Sequence, residues 1–288
     1  LKLSAGIPLS PYLETTVDAG IRNTSYLIDD NGDEAWQDSD TENRFLADLG
    51  GKIGTTMVRD FGLSMGELYR FSHTFRPSIS YRYITDVDQG DLPNFDSVDR
   101  VADENIVYYN IDNFFSVFGL HKGSEYDRQF GYLKIRQGYD LRSEMSDAPL
   151  TPVELKLGLF PLKDLRLVYR SDIDVYGEGL ITNSLESTYK NDRGDTFYLD
   201  YYTDKNGDDP DTESIRGGAR VSLWYSLIAS YDIERSLEDS QTVEENFSLI
   251  YQPSCWSVEF ATNYTPGNQK YMLMFRLANI GNPFGFKL

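Results

Sequence analysis

Residues 255–264 alternate with period two: Trp256, Val258, Phe260 and Tyr264 point one way, Ser257, Glu259, Ala261 and Asn263 the other. The next run repeats this, with Tyr271, Leu273, Phe275 and Leu277 opposite Met272, Met274, Arg276 and Ala278. Val153, Leu155, Leu157 and Leu159 stand opposite Glu154, Lys156 and Gly158 in the same way. Leu165, Leu167 and Tyr169 stand opposite Arg166, Val168 and Arg170. A pleated strand sends successive side chains to opposite faces, so each run predicts a strand with one apolar and one polar face. No stretch carries a helical period of useful length. The class is all-β.

The pattern predicts about 14 strands, many of about ten residues or more, against a soluble mode of about five or six. Crossing hydrocarbon on a tilted strand takes about 9–11 residues. The links between strands fall into two ranks. Long polar links are expected at 29–43, 85–103, 142–151, 204–213 and 235–241, and short ones near 62–66, 160–162, 191–194, 223–224 and 252–253. Long and short alternate, as the external loops and periplasmic turns of an antiparallel transmembrane outer-membrane β-barrel do. A large soluble β-sandwich also alternates, but needs neither such long strands nor two ranks of link.

Composition narrows the partners. Lys plus Arg is 27 against 46 Asp plus Glu, a formal charge of −19, which argues against a nucleic-acid partner. Mean hydropathy is −0.46, and no run approaches the roughly 18 apolar residues of a helical span. Alternating strands average to a polar composition, so a barrel is untouched by that exclusion. Segments 29–43, 86–104, 204–213 and 232–245 hold 25 of the 46 acidic residues, and are expected to carry loop charge outside any hydrocarbon.

Several motifs are more specific. Residues 69–84 hold His73-Thr74, Pro77 and Tyr81-Arg82-Tyr83-Ile84. Downstream come Asp88-Gln89, Leu92-Pro93 and Phe95-Asp96-Ser97, and upstream Arg22-Asn23-Thr24-Ser25-Tyr26 and Arg44-Phe45-Leu46. Gln137-Gly138-Tyr139-Asp140-Leu141 and Tyr251-Gln252-Pro253-Ser254-Cys255-Trp256 follow. In this order the set resembles the LptD family, the outer-membrane lipopolysaccharide-assembly proteins.

The resemblance implies a barrel in the cell outer membrane of a Gram-negative bacterium. Such a barrel receives lipopolysaccharide from periplasmic Lpt bridge components and passes it to the outer leaflet through a lateral gate between first and last strands. It also implies an LptE-like lipoprotein plug, contact with outer-membrane lipids, no cofactor and no enzymatic activity. Residues 1–288 are then expected to be the C-terminal portion of the barrel, with the first strands and an N-terminal periplasmic jellyroll domain outside them. Tyr271, Leu273, Phe275 and Leu277, on the strand expected at 270–280, become lateral-gate candidates, followed by Gly281, Pro283 and Gly285. Cys255 is the one cysteine, so the resemblance implies a disulfide whose partner lies outside these residues.

On the polar faces, Lys134, Arg136, Glu154, Lys156, Arg166, Arg170, Glu259 and Arg276 are expected to face the lumen. His73 and His121 are the only histidines. Strand neighbours point to opposite faces, so Ser72 and Thr74 cannot complete a catalytic set with His73; it reads as a wall residue, and His121 as a solvated strand end. Asp204, Asn206 and Asp208 have the oxygen density of a calcium loop without its sixth-position glycine or twelfth-position glutamate. A soluble turn is the simpler reading. The alternative to a lipid translocon is a general diffusion porin, which would need none of the ordered motifs.

Overall fold

The computed structural model describes residues 1–27, 41–90, 92, 100–142, 145, 147–177, 179–205, 211–277 and 284–287. Among these are seventeen strands and no α-helix. They are β1 (Lys2–Gly6), β2 (Glu14–Leu27), β3 (Thr41–Gly54), β4 (Met57–Met65), β5 (Leu68–Ile84) and β6 (Glu104–His121). Next come β7 (Ser124–Asp140), β8 (Val153–Leu162), β9 (Leu165–Ile173), β10 (Leu180–Lys190), β11 (Thr196–Asp204) and β12 (Thr212–Trp224). The last are β13 (Leu227–Ser236), β14 (Thr242–Tyr251), β15 (Trp256–Thr265), β16 (Asn268–Leu277) and β17 (Phe284–Lys287). The excess over about fourteen has a simple origin. β1 and β17 are too short to show a period, and β3 and β4 are one strand interrupted at Thr55–Thr56, where the Thr55 amide still donates to the Pro77 carbonyl.

The chain divides into two compact units, one of residues 1–59, 73–113 and 135–153, the other of residues 60–72, 114–134 and 154–288. In the first, β2 pairs antiparallel with β1 and along its whole length with β3, and β3 pairs with β5. In the second, β9 to β17 form an antiparallel meander in which each strand pairs with the next in sequence.

Tight turns are fixed by residues that accept positive φ. Lys122 (φ 49°) and Gly123 (φ 82°) close β6 onto β7, the pair of positive φ values that a two-residue hairpin twisting with its strands requires. Pro266 and Gly267 (φ 77°) join β15 to β16, proline fixing the first central residue and glycine supplying the second. Other turns lie at the end of the places expected or just beyond them: at 66–67, 163–164 and 225–226. Gly62 has open space around it and is carried inside β4, Pro161 is carried in the last turn-ward residues of β8, and exposed Leu223 and Trp224 prolong β12.

The acid of 232–245 is also redistributed. Asp232 and Glu234 belong to β13, and Glu244 and Glu245 to β14, leaving Glu238 and Asp239 to the link. Burial is the most telling quantity. Among the described residues only Tyr26, Leu46, Ile84, Leu92, Ile106, Val117, Val168 and Ala261 form buried apolar interior. A soluble chain of 288 residues buries a far larger apolar core.

Candidate functional site: an apolar face and a charged face

In the second unit, the pairing register puts the apolar side chains of successive strands on one face. Leu185 opposes Tyr201, Leu199 opposes Gly217, Tyr231 opposes Phe247, Leu249 opposes Phe260, and Val258 opposes Phe275. That face is bare: Leu199 is 55% exposed, Leu273 44% and Phe275 41%. On β15 it runs from Trp256 to Tyr264, nine residues, the length a tilted strand needs to cross hydrocarbon. Aromatic rings mark both ends. Near the tight turns stand Tyr189 and Phe197, stacked at 6.3 Å, with Trp224, Tyr225, and Tyr251 edge-on to Trp256 at 5.6 Å. Toward the long links the Tyr169, Tyr201 and Tyr231 hydroxyls donate to Asn183 (2.7 Å), Glu213 (2.7 Å) and Glu245 (3.0 Å). Amphipathic rings at two levels, with uncovered aliphatic side chains between, are stable where the surrounding solvent is lipid.

The opposite face of the same strands is charged. On β12–β15 several of its groups bond to one another. Asp232 accepts from Arg216 (3.3 Å) and Asn246 (3.1 Å), and Asn263 donates to Glu244 (2.8 Å) and Asn246 (2.7 Å). On β8–β10, Lys156, Arg166 and Arg170 share the face with Glu186, which pairs with Arg170 across the ladder. Lys134 belongs to the same neighbourhood, lying 5.3 Å from the Phe114 ring centroid and 5.8 Å from that of Tyr132. Glu154 occupies the same face of β8 as Lys156. Glu259 and Arg276 lie on the polar face of β15 and β16, Arg276 opposite Ser257 and Glu259 opposite Met274, with no ion pair between them. In the first unit, the Arg136 guanidinium lies over the Tyr108 ring at 3.8 Å. Glu186, Lys190 and Arg128 were not among the residues the sequence singled out. The period-two spacing of Ser184, Glu186, Thr188 and Lys190 on β10 carries the signal for two of them.

The motifs at 22–26, 44–46, 81–84 and 88–92 meet in the first unit. Arg22, Thr24, Tyr26, Arg44, Arg82 and Ile84 line one cavity of about 530 Å³ together with Arg100 and Glu104. The Arg44 guanidinium donates to the Gln89 side-chain oxygen (3.0 Å), which also accepts from the Val101 amide (3.1 Å), while Arg100 donates to the Leu92 carbonyl (2.7 Å). Leu46, Ile84 and Leu92 are buried. Motifs far apart in sequence thus tie the described part of the 85–103 link to β3.

A family model described as LptD, LPS transport system D, matches residues 1–272. The chain belongs to the LptD family. It is therefore an outer-membrane β-barrel protein of a Gram-negative bacterium that takes part in lipopolysaccharide transport with the Lpt system. No match is found among curated protein sequences. Among solved structures, a mutant of the Rh. blastica porin is similar at 12% identity, covering 99% of this chain and 100% of that chain, with a TM-score of 0.33. A triple mutant of Rhodopseudomonas blastica porin is similar at 11% identity with the same coverage and a TM-score of 0.33. A structure described as "Asymmetric conductivity of engineered proteins" covers 93% of this chain and 96% of its own at 11% identity, with a TM-score of 0.33.

The remaining candidates sit as follows in this LptD-family chain. Tyr271, Leu273, Phe275 and Leu277 lie on the apolar face of β16, which among the described residues β17 meets from Met272 with Lys287 to Phe275 with Phe284. The 278–283 segment lies outside the described residues. Cys255 is an exposed thiol in the 252–255 link, and no disulfide is formed within the chain. His73 Nε2 meets Asn113 Oδ1 at 2.9 Å on the first unit's wall, and His121, at an exposed strand end, meets Glu67 at 3.0 Å. Asp204 accepts from the Tyr202 hydroxyl (2.9 Å), whereas Asn206 and Asp208 lie outside the described residues. Among the described residues no group of three His, Cys, Asp or Glu side chains is placed to hold a metal ion.

Proposed function

We propose that this chain forms wall and gate of a translocon that inserts lipopolysaccharide into the outer leaflet. The glycan end travels along the charged face and the acyl chains leave sideways into lipid. The observation that supports it is the pairing of two incompatible solvents' surfaces on single strands: aliphatic side chains uncovered on one face of β11–β16, wettable charge on the other. A lipid with a long polar head and apolar tails needs both. The drive comes from elsewhere, and the chain contributes path and gate without chemistry of its own.

For the gate we favour the seam at β16. Tyr271, Leu273 and Phe275 of β16 stand exposed on the apolar face and β17 pairs with β16 beside them, so a lipid leaving there would pass straight into hydrocarbon. Gly285 within β17 has no side chain to pack against its neighbours, which weakens that pairing. The partners in this reading are an LptE-like plug against the charged face and periplasmic Lpt bridge components that deliver the lipid. Residues 1–288 act as the C-terminal portion of the barrel, and Cys255 bonds to a cysteine outside them.

Depleting the full-length protein in its native cell and labelling newly made lipopolysaccharide at the surface tests the reading. Surface label is expected to disappear while lipid accumulates at the inner membrane. Undiminished delivery would overturn it.

A further inference from the structure

The charged face of β8–β10 carries more positive charge than its own carboxylates neutralise, in a chain whose formal charge is −19. Half-buried Lys156 has three cations, Arg170, Lys134 and Arg166, and one carboxylate, Glu186, among its strongest charged neighbours. Glu186 is already held by Arg170. Among the described residues neither Lys156 nor Arg166 has a hydrogen-bond or ion-pair partner. Cations gathered this closely raise the free energy of the site until an anion joins them. On β12–β15, by comparison, Asp232 is met by Arg216 and Asn246, and Glu244 by Asn263.

The cations are also arranged in a line. Arg166 and Arg170 are four residues apart on β9, about 13 Å at the rise of a strand. Arg166 and Lys190 line a cavity of about 810 Å³ with Arg128, Lys163 and Thr188, four cations against the two carboxylates Asp164 and Glu186, where β8–β9 and β10–β11 turn at 163–164 and 191–195. Lys163 is occupied by Asp192 at 2.6 Å, while Lys190 has no such partner among the described residues. From the tight turns upward, the face therefore presents Lys190 and Arg166 first, and Arg170 and Lys156 farther up.

We propose that this face is an anion-binding track for the phosphate groups of the transported lipid, with Lys190, Arg166 and Lys156 as successive contacts. The track rests on the reading that the charged face lines the lipid's path. A phosphate-bearing lipid fits better than a protein plug for two reasons. A permanent protein contact is served by fixed guanidinium–carboxylate forks, which here occur within the chain at Arg170 and Glu186. Lysine ammonium groups are hydrated point charges on flexible stems, suited to contacts made and released in turn.

The test places a photoreactive residue at Thr188, inside the cavity, or at Ser257, on the polar face of β15, in the full-length protein in its native cells with pulse-labelled lipopolysaccharide. The expected result is lipid crosslinked at Thr188, with a yield relative to Ser257 that falls about tenfold in the K156Q/R166Q variant. The charge-keeping K156R/R166K variant retains it. A second arm needs no variant. In the purified complex with its plug, dephosphorylated lipopolysaccharide crosslinks at Thr188 at about the yield of the neutral variant, and added salt lowers the yield of the phosphorylated lipid. Equal yields from parent and neutral variant, or from phosphorylated and dephosphorylated lipid, overturn the track. Crosslinks at Ser257 with none at Thr188 overturn it while leaving the proposed function standing, and absence of lipid at both positions overturns both. A crosslink from Thr188 to a protein assigns the face to plug docking instead.

Discussion

The ring of Tyr132 on β7 lies across Gly158 on β8, so that a β-carbon at Gly158 would fall inside it. The same relation recurs between Tyr198 on β11 and Gly218 on β12, where a β-carbon would stand 2.6 Å from the ring. Each tyrosine fills the space its neighbour's missing side chain leaves, locking adjacent strands in register. At β7–β8 it also sets the Tyr132 ring beside Phe160 (5.9 Å) and Lys134.

Gly158→Val is therefore expected to displace the ring and cost about 1–3 kcal/mol, as overpacking does. Denaturant unfolding of the full-length protein in lipid vesicles checks this. Stability equal to the parent would mean that the ring moves aside freely.

Adjacent residues on β15 separate the two faces. Phe260→Arg puts a cation into hydrocarbon and is expected to cost about 2–4 kcal/mol near the midplane. Glu259→Gln, one residue away on the polar face, is expected to change stability little. Comparable losses from both, measured by folding into vesicles, would contradict the assignment of faces.

The 191–195 turn is held by one carboxylate. Asp195 accepts from the Ser222 amide (2.8 Å) and the Asn191 side chain (2.8 Å), with Arg193 at 3.1 Å. These contacts, the Ser222 amide first, hold its carboxyl below the ordinary carboxylate range. A depressed folded value stabilises above the unfolded value of about 3.9, and that contribution is lost as pH falls through the folded value. Ser222 amide exchange is thus expected to stay protected down to pH 4 and to rise only in stronger acid. Asp195→Asn removes the pH dependence, and an unchanged acid profile in that variant would count against the carboxylate's role.

Much of this architecture is legible in the sequence, and what is not has physical causes. Period-two runs such as 255–264 identify strands and faces because one residue's side follows from its neighbour's. Turn positions are less legible: Gly62 and Pro161 read as breakers, yet a strand accommodates both where nothing crowds the glycine and the proline sits near a strand end. Asp232 and Glu244 read as loop acid, and only the pairing register shows them facing Arg216 and Asn263 across strands. The Arg44–Gln89 contact and the unpaired state of Lys156 depend on chain segments far apart in sequence, which no local pattern reports.

Cys255 provides a further check on the proposed bridge beyond the chain. Its side chain is exposed in the 252–255 link, so a free thiol would react at once. In full-length protein from native cells it is expected to resist maleimide until a reductant is added. Immediate labelling would mean that no bridge forms.

The seam at β16 is the most direct test of lateral release. A photoreactive residue at Leu273, on the apolar face beside β17, is compared with one at Leu199, an equally bare position on β11. In growing cells given a pulse of labelled lipopolysaccharide precursor, newly made lipid is expected to crosslink at Leu273 first and at Leu199 only after it has spread through the leaflet. Simultaneous appearance at the two positions, or an earlier signal at Leu199, would contradict exit at this seam.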